Sequence, residues 1–239
     1  MSKVRTEVRA FFSLFTYHIM VFLLSVSAGP VLGTPTGLNN IPTADTVPHR
    51  TVAVQYFSSF GGANQFATSE PGKTSQWAGF KTGWDFKPLH LEWGLDSALG
   101  TGYSGPLVFQ TKARIQPWED GMLALGVAGV ALTDTRRASD PFTYAMLWHD
   151  FHVVRLHAGY GLQTDGNSYL FGMDRTWKVL ERNFNLNADL VQSRNQQGLI
   201  AAIGAKYDLS KHIVLETWAN FPDRDCVSYI AKINFVFTF

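Results

Sequence analysis

Charge is scarce in this chain. Asp, Glu, Lys and Arg make up 16% of its 239 residues, where a soluble domain usually carries about 25%. The 20 basic and 19 acidic residues nearly cancel at +1, and no basic cluster stands out, which excludes nucleic acid as a partner and a polybasic membrane tether. Cysteine is almost absent: Cys226 stands alone, so no internal disulfide forms. Long apolar runs are missing too, apart from one near the amino terminus, and mean hydropathy is −0.03. That is too polar for a helical membrane protein and, with so little charge, unusual for a soluble one. Aromatic residues, at 14%, are what the chain has in quantity.

The amino-terminal run reads as a secretory signal spanning residues 1–33. Lys3, Arg5 and Arg9 precede an apolar stretch from Phe11 to Ser27, and small residues follow. Cleavage after Ala28 and after Gly33 both fit. A retained anchor is the alternative, although the run is at or below spanning length. With no cysteine near the cleavage region, lipoprotein processing is excluded. Residues 34–50, rich in Pro, Thr and Asn, have no periodicity and read as an extended periplasmic segment, with a tuck into a barrel mouth as the second possibility.

From Thr51 to the end, short runs of alternating apolar and polar residues recur between turn signals. Alternation with period two is the mark of strands with one apolar face. Leu89, Leu91, Trp93 and Leu95 alternate with His90, Glu92, Gly94 and Asp96, and Phe184, Leu186, Ala188 and Leu190 alternate with Asn183, Asn185, Asn187 and Asp189. Twelve runs emerge, with ten or fourteen also compatible. Connections alternate between long (61–75, 97–106, 133–141) and tight (87–88, 117–120, 149–152). The pattern predicts an all-β fold, a closed antiparallel transmembrane barrel over residues 51–239, with lipid outside and a polar lumen inside. Trp77, Trp84, Trp118, Trp148, Tyr160 and Tyr207 suit interfacial girdles, and core filling is the alternative.

Two stretches carry a family resemblance. Tyr207-Asp208-Leu209-Ser210-Lys211 resembles the Tyr-x-Leu-Ser-Lys stretch at a late periplasmic turn of Gram-negative porins. The final strand, with Tyr229, Phe235, Phe237 and terminal Phe239, resembles the carboxyl-terminal signal of outer-membrane barrels. The resemblance implies export to the Gram-negative outer membrane, outer-membrane lipid around the barrel, and recognition by the barrel-assembly machinery. It implies no substrate.

The inner row supplies candidate pore-lining residues: Lys81, Asp85, His90, Glu92, Asp96, Lys112, Arg114, Arg155, His157, Asp189, Lys206, Glu216 and Lys232. Asp174 and Asp208 share the row. Six cations face seven carboxylates, so the expectation is a porin-like passive channel for small hydrophilic solutes with weak charge selectivity. A filled structural or adhesin-type barrel, its charges paired across a narrow lumen, is the alternative, and about twelve strands lies between filled and open barrels. An outer-membrane hydrolase ranks lower. His149, Asp150 and His152 cluster at a tight turn, His157 lacks the following nucleophile of barrel phospholipases, and His90 with Glu92 gives only two potential metal ligands. No catalytic residue, metal or cofactor is expected.

Overall fold

A computed structural model describes residues 35–61, 75–99, 106–133, 140–164, 166–193, 198–224 and 226–239. The signal segment and the longest connection, 62–74, lie outside the described residues. Twelve strands form: β1 Thr51–Gly61, β2 Ser75–Phe86, β3 Leu89–Leu99, β4 Leu107–Trp118, β5 Gly121–Ala131, β6 Phe142–Asp150, β7 Arg155–Gln163, β8 Gly166–Val179, β9 Arg182–Ser193, β10 Gly198–Ser210, β11 Ile213–Pro222 and β12 Ser228–Thr238. Each pairs antiparallel with its sequence neighbours, and β1 pairs with β12 from Thr51↔Thr238 to Gly61↔Ser228. The sheet therefore closes and leaves no edge strand.

Tight connections at 87–88, 119–120, 151–154, 180–181 and 211–212 all lie at one end, with both ends of the barrel sequence. The longer connections gather at the other, together with the two-residue link 164–165 between β7 and β8. Strand lengths of 9 to 14 residues match the roughly 9–11 that a tilted strand needs to cross a bilayer.

Alternation sorts the side chains as the period demands. On β8, Tyr169, Phe171 and Met173 are exposed outward while Ser168, Leu170 and Asp174 are buried inward. Leu125, Leu147, Leu156, Leu162, Leu186 and Ile203 extend this apolar outer surface. Tyr229, Phe235, Phe237 and Phe239 are exposed on the outer face of β12 and at its end, where the Phe239 amide donates to the Arg50 carbonyl at 3.0 Å.

Strand β6 turns its apolar row to the lumen. Its aromatic row, Phe142, Tyr144, Met146 and Trp148, faces inward, and Tyr144 and Met146 are almost fully buried. Trp148 and Trp77 therefore do not belong to an outer girdle: Trp77 is buried inside, stacked on Phe57 with centroids 5.8 Å apart. Trp84 and Trp118 do face outward.

For residues 34–50 the structure favours the second possibility, a tuck into the barrel. Their described part, 35–50, is not a free extended segment but lies within the barrel. Leu38, Ile41, Ala44 and Val47 are each less than 8% exposed, the first three against the inward side chains of β5, β6, β8 and β9. Residues 36–43 form a small hairpin, with the Leu38 amide donating to the Ile41 carbonyl and the Thr43 amide to the Thr36 carbonyl, both at 3.1 Å. A chain without periodicity cannot bury one face against water, but inside a lumen it is covered all round. Burying Leu38 and Ile41 contributes about 1.5–3 kcal/mol each.

Candidate functional site

Side chains on the inner face meet residues 35–49, hereafter the plug, at three levels. Glu92 on β3 accepts the Thr36 amide at 2.8 Å, the Thr36 hydroxyl at 2.6 Å and the Val47 amide at 2.7 Å. Beside it, the Lys112 ammonium on β4, with no solvent exposure, lies 3.8 Å from Glu92 and donates to the carbonyls of Thr36 at 2.8 Å and Thr43 at 3.0 Å. A buried ion pair is costly unless its remaining valences are filled. Here the plug backbone fills them.

Near the plug tip, Asp189 on β9 accepts the amides of Asn39 and Asn40, both at 2.8 Å, and the Asn40 side chain also donates to Asn220 on β11 at 2.9 Å. Towards the tight-turn end, Asp45 accepts the Trp148 indole and the Arg155 guanidinium, each at 3.1 Å. Arg155 on β7 also forms a bidentate pair with Asp174 at 2.8 and 2.9 Å, and its guanidinium carbon sits 5.0 Å from the Trp148 ring centroid. His157 meets the same Asp174 at 2.7 Å.

The other expected lining residues pair along the wall. Asp85 meets His90; Asp96 accepts Gln55 and Gln110; Arg114 donates to the Met122 sulfur at 3.5 Å. Lys81 is 5% exposed. Lys206 lies 3.8 Å from Glu216 and donates to the Gly37 carbonyl, and Glu216 also accepts Asn234 at 2.7 Å. Glu216 and Lys232 stand opposite each other across β11 and β12.

The wall is shaped for the plug at three glycines. A Cβ on Gly83 would fall 1.8 Å from the Val47 carbonyl oxygen, one on Gly172 2.5 Å from a Leu38 methyl, and one on Gly204 2.2 Å from the Asn39 side-chain oxygen. Any larger residue at these places would displace the plug or be displaced by it.

Space remains on both sides. A cavity of about 110 Å³ lies against Pro35 to Pro42 and is walled by Phe57, Trp77, Phe142, Trp218 and Ile230, with four charged side chains. A second, of about 230 Å³, lies between the plug and Arg155, Asp174, Asn185 and Asp208. Thr36, Gly37, Leu38 and Lys206 border both.

Asp45 and Asn40 are site residues that the sequence reading did not single out, and Trp148 was assigned to an interfacial girdle and not to the lumen. A single acidic residue in a Pro/Thr/Asn-rich segment was the available signal. Among the described residues, no group of three His, Cys, Asp or Glu side chains is placed to hold a metal. His149 accepts the Trp118 indole at 3.2 Å, and His152 adopts a positive φ in the turn, where its amide donates to Asp150 at 2.7 Å.

No protein-family model matches this chain, and no curated protein does. Among solved structures it is similar to the KdgM porin in complex with disordered oligogalacturonate, with a TM-score of 0.55 and 9% identity over 77% of this chain and 98% of that one. An outer membrane channel from Pseudomonas putida F1 matches with a TM-score of 0.51 and 13% identity over 85% and 99%. The NanC porin matches with a TM-score of 0.50 and 9% identity over 76% and 98%. At these identities the likeness is one of fold: the chain shares the closed barrel of these porins.

Proposed function

We propose that this protein is a porin-like channel of the Gram-negative outer membrane, passing small hydrophilic solutes with weak overall charge selectivity, its lumen partly occupied by its own amino-terminal segment. The observation that carries the reading is an inner face of paired charges with cavities on both sides of the plug. A barrel built only as a scaffold has no need to keep carboxylates and cations inside, each of which costs free energy to desolvate. The 13 lining residues act as the wall against which the plug and the solute compete. The apolar exterior faces lipid, the tight turns face the periplasm, and the chain arrives there after signal-directed export. Tyr229, Phe235, Phe237 and Phe239 serve as the recognition element for the assembly machinery.

The plug also favours a second reading, a filled barrel without conductance, because its hydrogen bonds reach β3, β4, β6, β7, β9 and β10 and so run round most of the wall. Planar-bilayer recording separates the two. We expect small, discrete steps from the full mature chain and steps several times larger after deletion of residues 35–47. Absence of conductance from the full mature chain, with steps appearing only after the deletion, would refute the channel reading in favour of the filled barrel.

A further inference from the structure

The plug divides the lumen and does not fill it. The cavity of about 110 Å³ lies towards the long connections, beside Ser59, Ser75 and Ile230, and the one of about 230 Å³ towards the tight turns, beside Arg155, Asn183 and Asp208. Four residues border both: Thr36, Gly37 and Leu38 of the plug and Lys206 of β10. With the plug seated, a solute that moves from one cavity to the other crosses at these four.

Two of them are fixed. Thr36 is tied by its amide and hydroxyl to Glu92 and by its carbonyl to Lys112, and Leu38 is buried with Ile41 among the inward side chains of β6 and β8. Gly37 has no side chain, and its carbonyl accepts the Lys206 ammonium. Lys206 carries its charge on a flexible four-carbon stem. Its side chain is 24% exposed, and its other partner, Glu216, stands 3.8 Å away. Swinging the ammonium off the Gly37 carbonyl therefore opens the partition and leaves in place the bonds that seat the plug at Glu92 and Asp189.

Lys206 is also the one charged side chain common to both cavities among the described residues. The carboxylates near it each face one cavity only and are held there. Glu216 borders the first and accepts Asn234 at 2.7 Å. In the second, Asp208 accepts Asn183, and Asp45 and Asp174 pair with Arg155. An ion arriving from the long-connection side thus passes three lysines and one carboxylate before the partition. In a narrow passage with low-dielectric walls the field of a fixed charge is concentrated, and its sign selects ions of the opposite sign.

We propose that Lys206 is the charge filter of the channel. With the plug seated, its ammonium closes the neck against the Gly37 carbonyl, and when it swings aside small anions pass in preference to cations. The inference rests on the channel reading and assigns its selectivity to one residue.

The test is planar-bilayer recording on the refolded full mature chain across a KCl gradient, where the reversal potential gives the chloride-to-potassium permeability ratio. We expect a ratio above one at low ionic strength, where screening is weak. Lys206→Met should lower it about fivefold, which is about 1 kcal/mol at 1.4 kcal/mol per decade and the size of a unit charge at about 4 Å in water. Lys206→Gln, which removes the charge and keeps a donor, should act in the same direction, and Lys206→Arg, which keeps the charge, should keep the ratio. Deleting residues 35–47 removes the neck, and in that background Lys206→Met should move the ratio by less than about twofold, because the two changes act through one another. A ratio unmoved by Lys206→Met and Lys206→Gln in the full chain would overturn the inference. So would an equal fall with the plug deleted, since the charge would then act through the wide lumen, or arginine behaving like methionine, since shape and not charge would then be at work. Steps that appear only after the deletion would sink the channel reading and this inference with it; steps from the full chain with an unmoved ratio would sink the inference alone.

Discussion

If Glu92 fastens the plug, replacing it with glutamine should loosen the plug without opening the barrel. Three donors converge on this carboxylate: the Thr36 amide and hydroxyl and the Val47 amide. Charge-assisted hydrogen bonds are worth about 1.5–3 kcal/mol against about 0.5–1.5 for neutral ones, so neutralising the acceptor costs about 1 kcal/mol for each bond that survives. One does not survive. The amide offers a single oxygen, and its NH2 group would face an N–H donor, leaving a buried donor unpaired at a further 1–3 kcal/mol or so. Lys112 keeps two plug carbonyls but loses its counter-charge. The sum is about 3–5 kcal/mol, or about 100- to 3,000-fold in the released population at 1.4 kcal/mol per decade. A cysteine placed at Thr43, 1% exposed in the seated plug, reports that population through its rate of maleimide labelling in a Cys226→Ser background, since labelling tracks opening when reclosing is fast. Glu92→Gln should raise the rate by at least two decades while the barrel stays folded. A rise below threefold would show that the apolar contacts of Leu38 and Ile41, not the carboxylate, hold the plug.

Other outcomes follow from the same geometry. Gly172→Leu places side-chain atoms where a Leu38 methyl sits 2.5 Å and an Ile41 methyl 2.8 Å from the added Cβ. It should raise Thr43→Cys labelling with little change in the thermal unfolding of the barrel, because the side chain moves into plug space and not into the strand pairs. Removing Phe239 deletes an exposed aromatic residue that meets the Trp84 ring at 6.0 Å and whose amide bonds Arg50 at 3.0 Å. Folded yield in cells should fall severalfold, while refolding in detergent proceeds nearly as before. Equal losses in both settings would assign Phe239 to barrel stability and not to recognition.

The strands were legible because an apolar outer surface and a mostly polar inner one impose a period of two. In β3 and β9 that period is nearly unbroken, and the structure pairs those residues as the pattern requires. Residues 35–50 were not legible in the same way. Their partners lie far along the chain, 149 residues away for Asn40 and Asp189 and 169 for Lys206 and Gly37, and an irregular hairpin has no period to betray which face is covered. The misplacement of Trp148 in an interfacial girdle has the same cause. Phe142, Tyr144, Met146 and Trp148 look lipid-facing until Leu38 and Ile41 are known to be inside, after which an apolar inner patch is what they need. Glycines at 83, 172 and 204 on the inner face were the trace the plug left in the barrel sequence.

The plug runs directly into β1, with only Arg50, at a positive φ of 54°, at the junction. Its tip at Asn39 is about a dozen residues from the wall strand that carries it, a reach of about 40 Å at most. A blocking element on so short a leash has an effective concentration in the millimolar range. Once dislodged it remains at the mouth and competes for its seat again without delay, so opening would be brief and self-reversing, and dilution of the protein would not prolong it.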